Sequence, residues 1–99
     1  MNFIFSYDIS SDKLRNSIAH KLEKSGCFRV QKSVFIGSDF STKEVNLLKR
    51  DIKKELSSNL KEDTDSFLCL PLTQTQKADM WWLKPDPLPN FEPTNAIII

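Results

Sequence analysis

The spacing of large apolar side chains changes period along this chain, and that switching limits the folds open to it. Over residues 2–9, Phe3, Phe5, Tyr7 and Ile9 fall on one side and Ile4, Ser6 and Asp8 on the other, the two-residue alternation of a strand. Leu14, Ile18 and Leu22 then recur every four residues, the repeat of a helix buried along one stripe. Ser10 or Ser11 can cap that helix, and Gly26 supplies a left-handed stop. The run "CFRVQKSVFIG", residues 27–37, is extended and closes at Gly37. It is long for one straight strand, so a bend or bulge is expected near Lys32 and Ser33.

Ser41 and Glu44 have the spacing of a capping box, ahead of Val45, Leu48, Ile52 and Leu56. The charges on the other side of that helix, Lys49, Arg50, Asp51, Lys53, Lys54 and Glu55, read as a solvated face. "KEDTD", residues 61–65, reads as a polar loop, and "SFLCLPL" as a buried strand whose Pro71 marks its end or an edge position. The resulting order, strand, helix, strand, strand, helix, strand, is that of an α+β, ferredoxin-like βαββαβ sandwich. That places a core domain in residues 1–76. Residues 77–99 would hold a C-terminal strand, "ADMWWL", and an extended tail, "KPDPLPNFEP", with four prolines. In such a strand Trp81 and Trp82 would point to opposite faces, and the terminal "NAIII", with Ile97 and Ile98, suits strand addition to a partner's sheet. A disordered end is the plain alternative.

Ninety-nine residues support one modest core. A sheet with both helices on one side leaves the other side bare, and a second copy would cover it. Cys27 and Cys69 lie in unrelated segments without metal-knuckle spacing, which fits a reducing cytoplasm. The N-terminal stretch has neither a basic start nor a long apolar run, so neither a signal peptide nor a membrane span is expected. The net charge of +1 conceals an asymmetry: residues 13–32 carry Lys13, Arg15, Lys21, Lys24, Arg29 and Lys32 against Glu23 alone, a local charge of +5. A patch of that kind can meet phosphate. Its members can equally be a solvated helix face and a cross-strand salt bridge. With two glycines in the chain, Gly26 and Gly37, no glycine-rich phosphate loop exists.

Asp8 ends the first strand on the mixed face. It can be a turn residue, a helix cap, or a group that does chemistry, and Ser10, Ser11 and Asp12 are better placed as caps. "YDIS", then "DKLRN", then "RVQKSVFIG" together resemble the CRISPR-associated protein Cas-two family, over residues 1–72. The resemblance implies a ferredoxin-like homodimer that binds duplex DNA and bridges copies of the larger integrase subunit, Cas-one, in spacer acquisition. It also implies a divalent-metal-dependent nuclease acting on RNA or DNA in several members. Asp8 takes the position of the family's metal-associated aspartate, for Mg2+ or Mn2+, and Arg15, Arg29 and Phe35 fall on positions its pattern marks. The family often has a second basic residue where this chain has Ser17, which bears on catalysis more than on binding. Lys13 and Lys32 join the expected nucleic-acid contacts, and Tyr7 and Phe35 are expected in core or dimer packing. A stand-alone metal-dependent endoribonuclease or toxin of the same fold is the alternative.

Overall fold

The computed structural model describes residues 1–59, 65–81, 83–84 and 97–98. Six elements form the main unit: β1 (Asn2–Asp8), α1 (Asp12–Lys24), β2 (Phe28–Gln31), β3 (Val34–Gly37), α2 (Thr42–Asn59) and β4 (Ser66–Leu72). The four strands make one sheet in the order β2-β3-β1-β4, with every neighbouring pair antiparallel. This is the ferredoxin-like βαββαβ arrangement, with the first strand paired on both of its edges.

The alternation in β1 decides which side of the sheet is covered. Phe3, Phe5 and Tyr7 are buried with Leu14, Ile18 and Leu22 of α1 and Val45, Leu48, Ile52 and Leu56 of α2 in one apolar cluster. Phe5 sits at its centre, with ring centroids 6.1 Å from Phe3 and Phe67 and 6.4 Å from Phe40. Each such aromatic contact contributes about 1 kcal/mol beyond simple burial. Tyr7 stacks on Phe35 and Phe67. Its hydroxyl is buried without a hydrogen-bond partner among the described residues.

Local chemistry closes the elements where the sequence suggests. Ser11 caps α1 and accepts from the Leu14 amide, and Gly26, just past its end, has φ of +93°. In the capping box of α2, the Glu44 amide donates to Ser41 Oγ and the Ser41 amide donates to Glu44 Oε1. The run from Cys27 to Gly37 splits at Lys32 and Ser33 into a hairpin, with a register shift between Arg29 and Gln31. The N-terminus is tied down as well. The Met1 amine donates to the Phe40 carbonyl at 2.7 Å, and buried Asn2 bridges the Asp39 amide and the Gln74 side chain.

Two expectations require correction. "SFLCLPL" is not a buried strand: β4 is a sheet edge whose Phe67 and Cys69 face the core while Leu68 and Leu70 are 50% and 46% exposed. That edge position is what allows Pro71, which has no amide proton to donate, within the strand. "ADMWWL" is not extended throughout: Ala78 is helical and Leu83 belongs to a strand. A short third helix, α3 (Gln74–Ala78), runs into it from a capping box of Thr73 and Gln76. Beyond it lies β5 (Leu83–Lys84), which pairs in parallel with β6 (Ile97–Ile98) in a separate two-stranded sheet. The Pro-rich run 85–93 and Trp82 lie outside the described residues.

Gly37 ends β3 against the aromatic cluster. A Cβ there would sit 2.8 Å from Phe40 and 3.1 Å from Phe5, rings that are themselves buried. Gly37→Ala is therefore expected to destabilise the fold by about 1–3 kcal/mol, the usual cost of overpacking. A shift in the urea midpoint at constant slope measures it.

Candidate metal and nucleic-acid site at the exit of the first strand

Asp8 is the last residue of β1 and pairs with Ser66 at the start of β4. Strand parity puts it with Ile4 and Ser6, on the side of the sheet away from the α1–α2 core. Its side chain is exposed, and no hydrogen bond or ion pair engages it among the described residues. It is therefore not the helix cap, a role taken by Ser11.

The backbone that carries Asp8 is firmly held. Buried Ile9 offers its carbonyl to Arg15 Nη1 at 3.1 Å, and a second Arg15 nitrogen pairs with Asp12. The Ser10 amide donates to Asp65 Oδ1 at 3.0 Å, and the Ser10 hydroxyl donates to Asp65 Oδ2 at 3.3 Å. Arg15 is thus a brace across the turn, its side chain 29% exposed. A guanidinium has five N–H donors, so those two contacts leave others for phosphate.

The remaining cations lie on the helical side and on the hairpin. Arg29, half exposed, sits 4.0 Å from Glu23 of α1 and 4.9 Å above the Phe35 ring. Its acidic neighbour is a residue of α1, so among the described residues its ion pair joins hairpin to helix, not strand to strand. Lys32 is exposed in the β2–β3 turn. Lys13 is exposed beside a cavity of about 270 Å³ between α1 and α2, lined also by Ser11, Leu14, Ser17, Glu55 and Asn59. Tyr7 and Phe35 are core residues. Trp81 is 60% exposed ahead of β5, while Ile97 and Ile98 pair with Leu83 and Lys84 of their own chain.

Two residues with clear roles escaped the reading of the sequence. Asp65 looked like the end of a polar loop and is the partner of Ser10. Glu55 looked like surface charge. It accepts from the Ser17 hydroxyl and pairs with Lys21 at 3.2 Å, joining the two helices. Ser17 is therefore used to hold α2.

Among the described residues no group of three His, Cys, Asp or Glu side chains could enclose a metal ion. The chemistry of Asp8 nevertheless suits a hard cation such as Mg2+ or Mn2+, which keeps several waters and takes one or two carboxylates from protein.

A family profile, CRISPR associated protein Cas2, matches residues 1–80. The chain belongs to the Cas2 family. Over 37 residues it is 43% identical to "CRISPR-associated endoribonuclease Cas2 2" of Pyrobaculum aerophilum, covering 37% of this chain and 41% of that protein. It is 46% identical over 41 residues to "CRISPR-associated endoribonuclease Cas2" of Korarchaeum cryptofilum, covering 41% of this chain and 44% of the relative. The matched segments thus span under half the length of these curated relatives. The Cas2 profile covers every element from β1 to α3, and with them Asp8, Arg15 and Arg29.

The helix-joining carboxylate makes stability depend on pH. The Ser17 hydrogen bond, with Lys21 beside it, holds Glu55 below its ordinary value of 4.5. A lowered folded-state value stabilises fully above the unfolded value and loses its contribution as pH falls through the folded one. Glu55→Gln is therefore expected to cost about 1 kcal/mol near neutrality. The gap to the parent should close below pH 4.5, as read from urea midpoints across acid pH.

Proposed function

We propose that this Cas2-family chain works in CRISPR adaptation as a homodimeric scaffold in the cytoplasm, binding duplex DNA and bridging Cas-one integrase subunits. The observation that carries the reading is the helix-free side of the sheet. It presents half-exposed Leu68 and Leu70 and ends in the Asp8 carboxylate, which is unpaired among the described residues. Apolar strand faces of this kind are ordinarily covered, and the simplest cover for a domain this small is its own copy. Joined that way, two Asp8 carboxylates would approach a shared axis. Like charges placed close together repel unless a cation lies between them, which supports an Mg2+ or Mn2+ ion there.

Arg15, Arg29, Lys13 and Lys32 would meet phosphate along the helical side and the hairpin. Recognition would be directed at the backbone and indifferent to base sequence. Trp81, Trp82, Ile97 and Ile98, in the C-terminal region, are the docking residues proposed for Cas-one. No described helix is long and apolar enough to cross a membrane.

A second reading, a metal-dependent endonuclease acting on RNA or DNA, is favoured by the relatives named endoribonucleases and by the free state of Asp8. The bound cation would polarise a phosphate and activate water. This chain's residues would present Asp8 at the strand exit and hold the backbone through Arg15 and Arg29.

Three measurements test these readings. Leu68→Asp together with Leu70→Asp should convert a dimer to a monomer in sedimentation. A parent protein that sediments as a monomer would refute the dimer. Duplex affinity should fall with salt at a log–log slope on the order of −4 to −7, close to one unit per phosphate contacted. Asp8→Asn should leave duplex binding intact while abolishing any Mg2+- or Mn2+-dependent cleavage. Loss of binding in that variant would count against the scaffold, and retained cleavage against the nuclease.

A further inference from the structure

The ladder between β1 and β4 ends at the pair Asp8 and Ser66, yet the chain does not loosen there. Each of the next three residues is anchored separately. Ile9 is buried, with its carbonyl bound by Arg15. Ser10 is held at both its amide and its hydroxyl by Asp65. Ser11 accepts from the Leu14 amide with its side chain and from the Arg15 amide, at 2.9 Å, with its carbonyl. The Ile9 and Ser11 contacts are local to the β1–α1 turn. Among the described residues, the hydrogen bonds of Ser10 are the ones that cross to another part of the chain, 55 residues away.

Asp65 immediately precedes Ser66, the ladder partner of Asp8. The strand exit is thus gripped by two adjacent residues, by Ser66 through the backbone pair at Asp8 and by Asp65 through its side chain at Ser10. Each Asp65 oxygen accepts a hydrogen bond from Ser10, whereas the Asp8 carboxylate accepts none among the described residues. The two acids at this end of the sheet thus differ in kind. One is spent on holding the turn and the other is left free.

We infer that Asp65 is a positioning residue: by gripping Ser10 across the β1–β4 end it fixes the backbone that presents the Asp8 carboxylate to a divalent cation. This rests on the reading of Asp8 as the metal-binding group. Without the grip, the Ser10 amide would turn to water, and the Ser66 ladder pair alone would restrain the Asp8 backbone on the β4 side. A ligand carboxylate on a mobile backbone binds a cation more weakly, because the binding must then order it.

The test uses the full chain and Mn2+ itself, with free Mn2+ followed by electron paramagnetic resonance and exchange of the Ser10 amide followed by NMR. Asp65→Ala should weaken Mn2+ binding about tenfold, the scale of a lost outer-shell partner. It should also speed Ser10 exchange and move the melting temperature by only a few degrees, as for the loss of an exposed hydrogen bond. Asp65→Asn keeps an acceptor for the Ser10 amide and a polar partner for its hydroxyl, so it should stay within roughly threefold of the parent. Ser10→Ala, which removes one of the two contacts, should weaken Mn2+ by roughly two- to threefold and serves if Asp65→Ala does not fold.

If Asp65→Asn is as weak as Asp65→Ala, Asp65 acts by charge and the positioning role is wrong. If Asp8→Asn lowers Mn2+ affinity but neither Asp65→Ala nor Ser10→Ala does, the positioning role alone is overturned. Mn2+ binding that Asp8→Asn leaves unchanged overturns the reading of Asp8, and the role of Asp65 with it.

Discussion

The placement of β1 between β3 and β4 governs the rest of this structure. A strand paired on both edges has no freedom in the plane of the sheet, so its alternation is expressed in full. Phe3, Phe5 and Tyr7 go under the helices, and Ile4, Ser6 and Asp8 go to the other side. A slip of one residue in either ladder would exchange the two sets and put a carboxylate into an aromatic core. The burial of three aromatic rings thus also holds Asp8 out in the open. Core and candidate site are two faces of one constraint.

The same economy appears between the helices. Ser17 and Lys21 of α1 converge on Glu55 of α2 at the margin of the apolar cluster, where a bare carboxylate would otherwise be partly dehydrated. The pairing favours its charged form. Cys27 shows the opposite treatment: it is buried, its thiol is pushed up to about 12, chiefly by desolvation, and it serves as a small apolar filler. Glu55 with Lys21, and Asp65 with Ser10, join separate parts of the chain, whereas Asp8, Lys13 and Lys32 are exposed.

Much of the fold was legible beforehand because it is written in local chemistry. The repeats at Leu14, Ile18 and Leu22 and at Val45, Leu48, Ile52 and Leu56 name their own buried stripes. Ser41 with Glu44, and Gly26 at positive φ, mark ends that the backbone requires whatever lies around them. The errors fall where context overrides composition. "SFLCLPL" reads as buried from its apolar content, but its place at the sheet edge leaves alternate leucines uncovered. "ADMWWL" has the aromatic content of a strand, yet the helix begun by the Thr73 capping box reaches its Ala78, and Leu83 is the residue of it placed in a strand.

The amino-acid sequence by itself determined which side of each element is apolar, where the helices start and stop, and that Asp8 closes the first strand on the mixed face. It did so because periodicity and capping act within a few residues. Only the tertiary structure decided that Asp65 would reach Ser10, that Glu55 would take Ser17 and Lys21, and that Arg29 would lie over Phe35 beside Glu23. Those meetings depend on strand register and helix placement across as many as 55 residues of chain. A hydrophobic period specifies which face turns inward, but not which points along two elements come to lie opposite one another.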